Sequence, residues 1–422
     1  DIVVCPRVTD AAVVIGPAAW KFSWKRDDYD ALAGALAAGH IIECGCQATG
    51  GNYSFFKEVP SFDNVGYPIA EIKNDGSFYI TKHPGTGGLV STGTVTAQLL
   101  YEISAPAYLN PDVIAHFDTL NIEEVSKNRI YVSGCRGSSP TNTHKVCINL
   151  AGGYRNGMEF ILTGIDIEEK AQIISDALFN SVGGKEQFDE VSILLDRTDK
   201  KDPNSNEEAM ASLRISVKSK DPDLVGRMFT AKMIELALAN YPGFFTGGGV
   251  RSGGPVLVYW PALIDSKHIE ETVHIDSKEI NVKPTNQLDL EETYYQKQPI
   301  EIPPPPSGQT LNKPLGELFG ARSGDKGGCA NIGVWAKNEN AFSFLNNYLT
   351  VEKIKELMPD IREFEIDRYE LPNILSLNFY IHDILEDGVS SNTRKDGQAK
   401  SLGEYLRAKY ADIPKSLFEE NI

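Results

Sequence analysis

Six apolar segments with two different periods constrain the fold of this chain most strongly. Apolar residues alternate with polar ones at 158–162, 191–195 and 213–217, and residues 256–260 form a short apolar run, so we predict four strands. Apolar residues recur at helical spacing at 167–178 and 225–236, and Asp166 with Glu169 has the spacing of a capping box. The order β-α-β-β-α-β predicts a split, ferredoxin-like unit in which both helices cover one face of an antiparallel sheet.

A proline run separates a long body from a tail. Residues 302–307 read IPPPPS, which is the composition of a stiff, extended spacer. Beyond it, residues 331–336 and 377–381 predict strands, Thr350 is predicted to cap a helix, and Ser401 with Glu404 is predicted to form a capping box for the last helix. The tail is therefore expected to be a second small α+β domain.

The first part of the chain mixes short apolar runs with two helical patterns. We expect strands at residues 1–5, 40–44, 66–72 and 129–133, and helices at 27–39 and 91–104. Strands with helices between them predict an α/β layer. Because the first residues resemble a strand already under way and no initiator Met is present, we interpret the chain as a fragment whose true N-terminus is not visible.

The 422 residues exceed what one core usually serves, so several domains are expected. The predicted fold class is mixed α/β and α+β. The predicted domains are an α/β part of the core at 1–155, a ferredoxin-like unit at 156–265, a polar and Pro-rich linker at 266–310, and a C-terminal α+β domain at 311–422.

Charge and composition exclude several partners. The formal net charge is -17, so the surface repels nucleic-acid phosphate and anionic lipid, and no apolar stretch is long enough to span a membrane. The six cysteines are scattered without a redox or zinc spacing, which favours a cytoplasmic or other reducing compartment. The seven histidines are dispersed, so we predict no metal site, and no cofactor is evident.

The stretch GELFGARSGDKGGCANIGVWA at residues 316–336 combines glycines with Arg322, Asp325 and Lys326. Its spacing is one residue short of a Walker loop and no hydroxyl follows the lysine, which weighs against a nucleotide-dependent ligase. Further glycine clusters lie at residues 49–52, 85–88 and 246–254. Such turns can present backbone N–H groups to an anion, or they can supply left-handed turn conformations alone.

Three carboxylates lie close to apolar runs. Asp10 follows the first of these runs, where it can act as a general base or cap a helix. Glu43 and Glu71 lie within or at the end of apolar runs, where partial desolvation would raise the pKa of each carboxyl, unless each lies on the wet face of a strand.

Several of these motifs together resemble one family. They are RVTDAA at 7–12, HIIECGCQATGGNYSFF at 40–56, KHPGTGGLVSTGTVTAQLLYEI at 82–103, LTGIDIEEK at 162–170, GARSGDKGGCANIGVWA at 320–336 and RYELPNILSLNFYIHDIL at 368–385. The chain resembles the acyclic terpene utilisation protein A (AtuA) family over nearly its whole length, and its fungal or other eukaryotic members more than bacterial ones. The likeness weakens at about residues 196–240 and across the proline spacer. It implies a large body with a ferredoxin-like tail, an absent upstream part, and a role in terpene catabolism through CoA thioesters.

Two functions follow as hypotheses. The first is a catabolic enzyme, a lyase or hydratase, that acts on an acyl-CoA or another anionic carboxylate small molecule by acid/base chemistry. The alternative is a non-catalytic scaffold or subunit of a catabolic complex, and in either case we expect a homo-oligomer that binds neither nucleic acid nor membrane.

For the enzyme, the predicted catalytic residues are Asp10, Glu43, Glu71, Asp325 and Lys326. The predicted substrate-binding residues are Arg7, Thr49, Gly50, Gly51, Asn52, Lys82, Thr86, Gly87, Gly88, Arg136, Arg322, Ser323 and Asn331.

Overall fold

The structure is a computed structural model that describes residues 2–249, 251–287, 293 and 295–419. It divides into two compact units. The first unit comprises residues 1–146, 261–386 and 398–422, and the second comprises residues 147–260 and 387–397. The first unit therefore combines the beginning of the chain with its tail.

The beginning of the chain contains helices and short antiparallel strands. They are α1 (Ile15–Phe22), α2 (Tyr29–Ile42), β1 (Pro68–Ile72), β2 (Phe78–Lys82), α3 (Thr92–Leu99), β3 (Ala107–Leu109), β4 (Ile114–His116), β5 (Asn121–Ser126), β6 (Arg129–Ser133) and β7 (Arg136–Ser138). One sheet has the order β1-β2-β6-β5 and another the order β3-β4-β7. Ser91 and Thr94 cap α3 reciprocally.

Two strands predicted in this region are wrong. Residues 2–9 have no regular structure, and Asp1 lies outside the described residues. The apolar run at 40–44 begins as the last turn of α2, because α2 is buried on nearly every side. An all-round apolar helix has no amphipathic period, so its end cannot be distinguished from a buried strand by pattern alone.

The second unit has the predicted β-α-β-β-α-β order. Its elements, of which β8 begins and β12 ends among residues of the first unit, are β8 (Thr143–Thr163), α4 (Ile167–Ser181), β9 (Glu190–Asp196), β10 (Met210–Ser219), α5 (Pro222–Val225), α6 (Arg227–Leu236), β11 (Phe245–Thr246) and β12 (Gly254–Asp265). The strands of its sheet have the order β11-β8-β10-β9, and β12 also pairs with β8. Strands β8 and β10 are therefore the central pair. Residues from both helices join one apolar core with β8 and β10. The predicted capping box is wrong, because Asp166 adopts a left-handed conformation and its side chain does not cap α4.

The segment between β12 and the tail contains the hairpin β13 (Glu271–Ile275) and β14 (Lys278–Val282). Within the predicted linker, residues 288–292 and 294 lie outside the described residues, as does Val250 in the glycine cluster at 246–254.

The tail packs helices against a four-stranded antiparallel sheet of order β16-β17-β19-β18. Its elements are β15 (Thr310–Pro314), β16 (Gly320–Lys326), β17 (Cys329–Trp335), α7 (Glu339–Tyr348), α8 (Val351–Leu357), β18 (Ile366–Leu371), β19 (Ser376–Ile381), α9 (Leu402–Arg407), β20 (Tyr410–Pro414) and α10 (Ser416–Glu419). Thr350 caps α8 as predicted. The second predicted capping box is wrong, because the Ser401 side chain does not cap α9 and Glu404 pairs with Arg407.

Tail residues complete the core of the beginning of the chain. Trp335, Leu371 and Ile374 belong to the same buried cluster as residues of α2, α3 and β6. The mixed helix-and-strand class predicted from the sequence is confirmed. None of the described helices has the length and apolar character needed to cross a bilayer.

Candidate functional site

The glycine-rich stretch of the tail is a β-hairpin rather than a loop. Lys326 pairs with Cys329 across a turn of Gly327 and Gly328, and Gly327 has a φ of +69°. Because side chains alternate along a strand, Arg322, Gly324 and Lys326 share one face of β16. A Cβ on Gly324 would lie 2.7 Å from Tyr101 and 2.8 Å from Glu102, so the missing side chain lets the end of α3 close onto the strand.

Arg322 is a buried cation, 9% exposed. Its guanidinium donates a hydrogen bond to Gln47 and lies 4.4 Å from the ring centre of Tyr101. Burial lowers the pKa of Arg322 below its ordinary value. No carboxylate of the described residues lies within ion-pair distance of it, although a guanidinium offers five donors.

Lys326 is a half-buried cation on the same face, and its Nζ lies 5.5 Å from the ring centre of Tyr108. Burial and the charge of Lys145 lower the pKa of Lys326, against the opposing effect of Glu102, Glu43 and Asp10. In the described part of the chain, no carboxylate forms an ion pair with this amine.

Lys400 is, by contrast, surrounded by acceptors. Its Nζ lies 2.6 Å from Glu102 Oε1 and 3.1 Å from Asp325 Oδ1, and it also donates to the Tyr101 hydroxyl. Burial alone would lower the pKa of Lys400, but these hydrogen bonds and the charge of Glu102 raise it.

Glu102 is held in an unfavourable backbone conformation, with a φ of +54°. Its N–H donates to Asn331 Oδ1 at 3.0 Å, and Asn331, which is fully buried, in turn donates to Leu100 O and Asn378 Oδ1. A non-glycine residue at positive φ persists only where its surroundings enforce it, which is common at functional sites. Ser323, on the other face of β16, accepts the Gly403 N–H.

The end of α2 brings unsatisfied polar atoms to this region. His40 is 1% exposed, and its Nδ1 lies 3.5 Å from Glu43 Oε1. Among the described residues, neither ring nitrogen of His40 nor Glu43 Oε2 has a hydrogen-bond partner, although all three atoms are buried. The His40 ring centre lies 4.8 Å from that of Tyr108, and burial together with the charge of Glu43 raises the pKa of Tyr108. Buried polar atoms of this kind are available to form hydrogen bonds with a bound polar ligand.

The structure brings part of the predicted site together. Arg322, Asp325, Lys326 and Asn331 meet the end of α3, and the charges of Glu43 and Asp10 act on Lys326. The prediction omitted the partners that complete the arrangement, which are His40, Gln47, Tyr101, Glu102, Tyr108 and Lys400. Four of them lie within the motifs at 40–56 and 82–103, and Tyr108 and Lys400 lie outside the motifs quoted above. No local spacing predicts that they contact the hairpin.

In two of the other glycine clusters, backbone N–H groups bond to carbonyl groups of the protein. The N–H groups of Gly50 and Gly51 bond to Gln47 O and Cys46 O, and those of Gly87 and Gly88 bond to Asn64 O and Val65 O. The Thr49 hydroxyl donates to Gly66 O, Lys82 Nζ donates to Thr86 O, and Asn52 is exposed. The cluster at 246–254 lies in the second unit.

Three further predicted residues lie on the surface, outside this arrangement. Arg7 is exposed in an irregular stretch, and Arg136 pairs with Asp30 at 2.8 Å on the rim of a cleft of about 670 Å³. Glu71 is bound by Arg129, which lowers the pKa of the carboxyl. Of the two alternatives that the sequence leaves open for Glu71, the structure shows the second, because Glu71 lies on the exposed face of β1.

One group of described residues has the composition of a metal site. Ligand atoms of Glu365, Asp367 and His382 lie within 4.8 Å of one another, and His382 Nε2 lies 2.9 Å from Asp367 Oδ2. The geometry is equally that of an exposed ion pair, so it assigns no metal.

The fold and this arrangement define a two-unit protein with a ferredoxin-like tail. The family model described as "acyclic terpene utilisation family protein AtuA" matches residues 1–275, and the model of the AtuA ferredoxin-like domain matches residues 313–411. The chain belongs to the AtuA family, which confirms the resemblance of its motifs and the ferredoxin-like tail. No curated protein and no solved structure matches it. Family membership indicates involvement in acyclic terpene utilisation.

Proposed function

We propose that the protein is an enzyme of acyclic terpene utilisation that binds an anionic small molecule, a carboxylate or CoA thioester, and transforms it by acid/base chemistry of the lyase or hydratase type. The observation that carries the proposal is the presence of two cations, Arg322 and Lys326, on one face of β16 without a carboxylate partner. A chain of net charge -17 has abundant carboxylates to neutralise them. Leaving a cation buried and unpaired is costly, so an anionic ligand is its natural partner.

The neighbouring groups support proton transfer. Lys326 lies beside Tyr108, and the lowered pKa of its amine favours proton exchange with a bound substrate, whereas Tyr108 retains its proton. Glu43 and His40 add polar atoms without partners in the described structure. Asp325 has the role of holding Lys400, which in turn fixes Glu102.

Calorimetric titration of the protein with an unsaturated acyl-CoA tests the proposal. We expect the Arg322→Met variant to bind about 10–100-fold more weakly, because a charge-assisted hydrogen bond is worth about 1.5–3 kcal/mol. Arg129→Met is the matched control, since Arg129 lies on the surface with Glu71. Neither binding nor turnover of any acyl-CoA, together with a stoichiometric protein partner in native mass spectrometry, would instead favour the scaffold.

A further inference from the structure

Lys326 differs from other lysines of the first unit in what its amine contacts. Lys82 donates to Thr86, Lys337 pairs with Glu58 at 2.5 Å, and Lys400 pairs with Glu102. The amine of Lys326 lies instead beside the ring of Tyr108, without a hydrogen bond or ion pair among the described residues.

The surroundings of this amine lower its pKa. Burial removes water that would solvate an ammonium ion and Lys145 adds a second positive charge, and together they outweigh the opposing charges of Glu102, Glu43 and Asp10. A desolvated lysine next to another cation is the arrangement that activates an amine as a nucleophile toward carbonyl carbon.

We infer that Lys326 forms an imine with an aldehyde or ketone group of the substrate, which extends the proposed function and rests on the same anionic site. The neutral amine nitrogen attacks the carbonyl carbon, the C=O π electrons move to oxygen, and a proton passes from nitrogen to oxygen to give a carbinolamine. The C–O bond then breaks, the hydroxyl takes one proton from solvent and leaves as water, and the nitrogen lone pair forms the C=N bond of a protonated imine. The step balances as amine plus carbonyl plus one proton gives protonated imine plus water, without an oxidant or reductant, and loss of the N–H proton then gives the neutral imine.

The groups around Lys326 suit this step. Tyr108, whose ring centre lies 5.5 Å from Nζ, remains a neutral phenol, so it adds no negative charge that would stabilise the ammonium form. A protonated imine withdraws electrons from the neighbouring carbon, which is what a lyase needs when it breaks a bond at that position.

The position of Arg322 restricts the substrate further. Arg322 and Lys326 are four residues apart on one strand face, which corresponds to about 13 Å at 3.3 Å per residue. Their ends contact different rings, those of Tyr101 and Tyr108. The separation therefore favours a substrate whose carbonyl and anionic group are several carbon atoms apart, over a short β-keto acid.

Reductive trapping tests the inference. The full chain is incubated with 7-oxooctanoate, reduced with borohydride and mapped by peptide mass spectrometry. We expect one adduct per chain on the peptide that contains Lys326, at least tenfold above any other lysine, and none in Lys326→Arg. Lys337→Arg, a surface control, should label like the natural protein, octanoate should give no adduct, and a melting curve establishes that each variant is folded.

The outcomes separate the two proposals. Adducts spread evenly over the lysines, or retained in folded Lys326→Arg, overturn the imine. Binding of acyl-CoA without an adduct from either 7-oxooctanoate or the neutral probe octanal also overturns it and leaves the proposed function standing. Specific labelling of Lys326 by octanal, with no preference for 7-oxooctanoate, supports the imine and counts against the anionic ligand.

Discussion

Two glycine-rich stretches of this chain, residues 82–88 and 320–336, have similar compositions and different structures. Both combine several glycines with a lysine. In the first, the glycine N–H groups bond to a neighbouring loop and Lys82 bonds to Thr86 of its own turn. In the second, the glycines lie within a hairpin, where they let α3 approach, and Arg322 and Lys326 have no carboxylate partner in the described structure.

The difference teaches that glycine content does not distinguish a ligand loop from a packed one. Both stretches use glycine for close approach: a Cβ on Gly88 would lie 2.4 Å from Val65 O, and one on Gly333 would lie 2.4 Å from Leu100 Cβ. What separates them is whether the nearby cation has an acceptor within its own turn. A cation without one indicates a binding site more strongly than the backbone does.

The largest expected effect is the difference in turnover between the Lys326→Met and Lys82→Met variants. We expect Lys326→Met to lower turnover of an unsaturated acyl-CoA by about 100-fold or more, the range for loss of a general acid or base, without loss of melting temperature. Lys82→Met should keep turnover but lose about 1 kcal/mol of stability for its hydrogen bonds.

The free energy of unfolding of Lys326→Met should also differ from that of the natural protein in its pH dependence. Because the pKa of Lys326 is lower in the folded chain than in the unfolded one, the unfolded chain binds more protons between that lowered value and about 10.4. The free energy of unfolding should therefore rise with pH across this window, and Lys326→Met should lack the rise. Urea unfolding from neutral pH to pH 10 measures it. A Lys326→Met protein that is less stable and fully active would make Lys326 architectural.

Gly333→Ala should cost about 1–3 kcal/mol, the range for overpacking a filled core, since its new Cβ would overlap Leu100. Gly16→Ala is the matched control, because nothing lies within 4 Å of its added Cβ and helix propensity then favours alanine by about 0.5–1 kcal/mol.

Gly88→Ala should destabilise the chain while acyl-CoA affinity is retained, whereas Gly333→Ala should lower both stability and affinity. If Gly88→Ala and Gly333→Ala lost acyl-CoA affinity equally, the hairpin at 320–336 would not differ from the loop at 82–88 in ligand binding.

Glu71→Gln should have the smallest effect, below about 1 kcal/mol at pH 7, because the ion pair with Arg129 is exposed and screened. Since Arg129 lowers the pKa of Glu71 in the folded chain, this stabilisation is present above the unfolded value of about 4.3 and is lost as the pH falls through the folded value. Unfolding curves of the two proteins should differ at pH 7 and coincide near pH 2. A large loss of turnover in Glu71→Gln would instead indicate that Glu71 belongs to the candidate site.

The sequence predicts local elements well where one face is buried. The periods of residues 158–260 give the order of strands and helices in the second unit, because half-exposed elements keep an amphipathic pattern. The end of α2 is missed because it is apolar all round. The capping boxes at Asp166 and Ser401 are missed because spacing does not determine the backbone conformation that a cap requires.

The candidate site is predictable only in part. The hairpin's charges identify Arg322, Asp325 and Lys326 without any structure. Their partners Tyr101, Glu102 and Lys400 approach the hairpin only because distant segments pack together. No local sequence pattern predicts which side chain packs against a given glycine. The bonds from the N–H groups of Gly87 and Gly88 to Asn64 O and Val65 O are likewise a tertiary property, whereas those of Gly50 and Gly51 lie within their own turn.

The sharing of one core by the two ends of the chain has a consequence during synthesis. Leu36 and Phe117 are made early, whereas Trp335 and Ile374, which belong to the same cluster, emerge last. At about 5–20 residues per second, translation of residues 147–374 takes roughly 10–45 s. For that interval the nascent chain presents an unfinished apolar surface at the ribosome, a state that chaperones recognise.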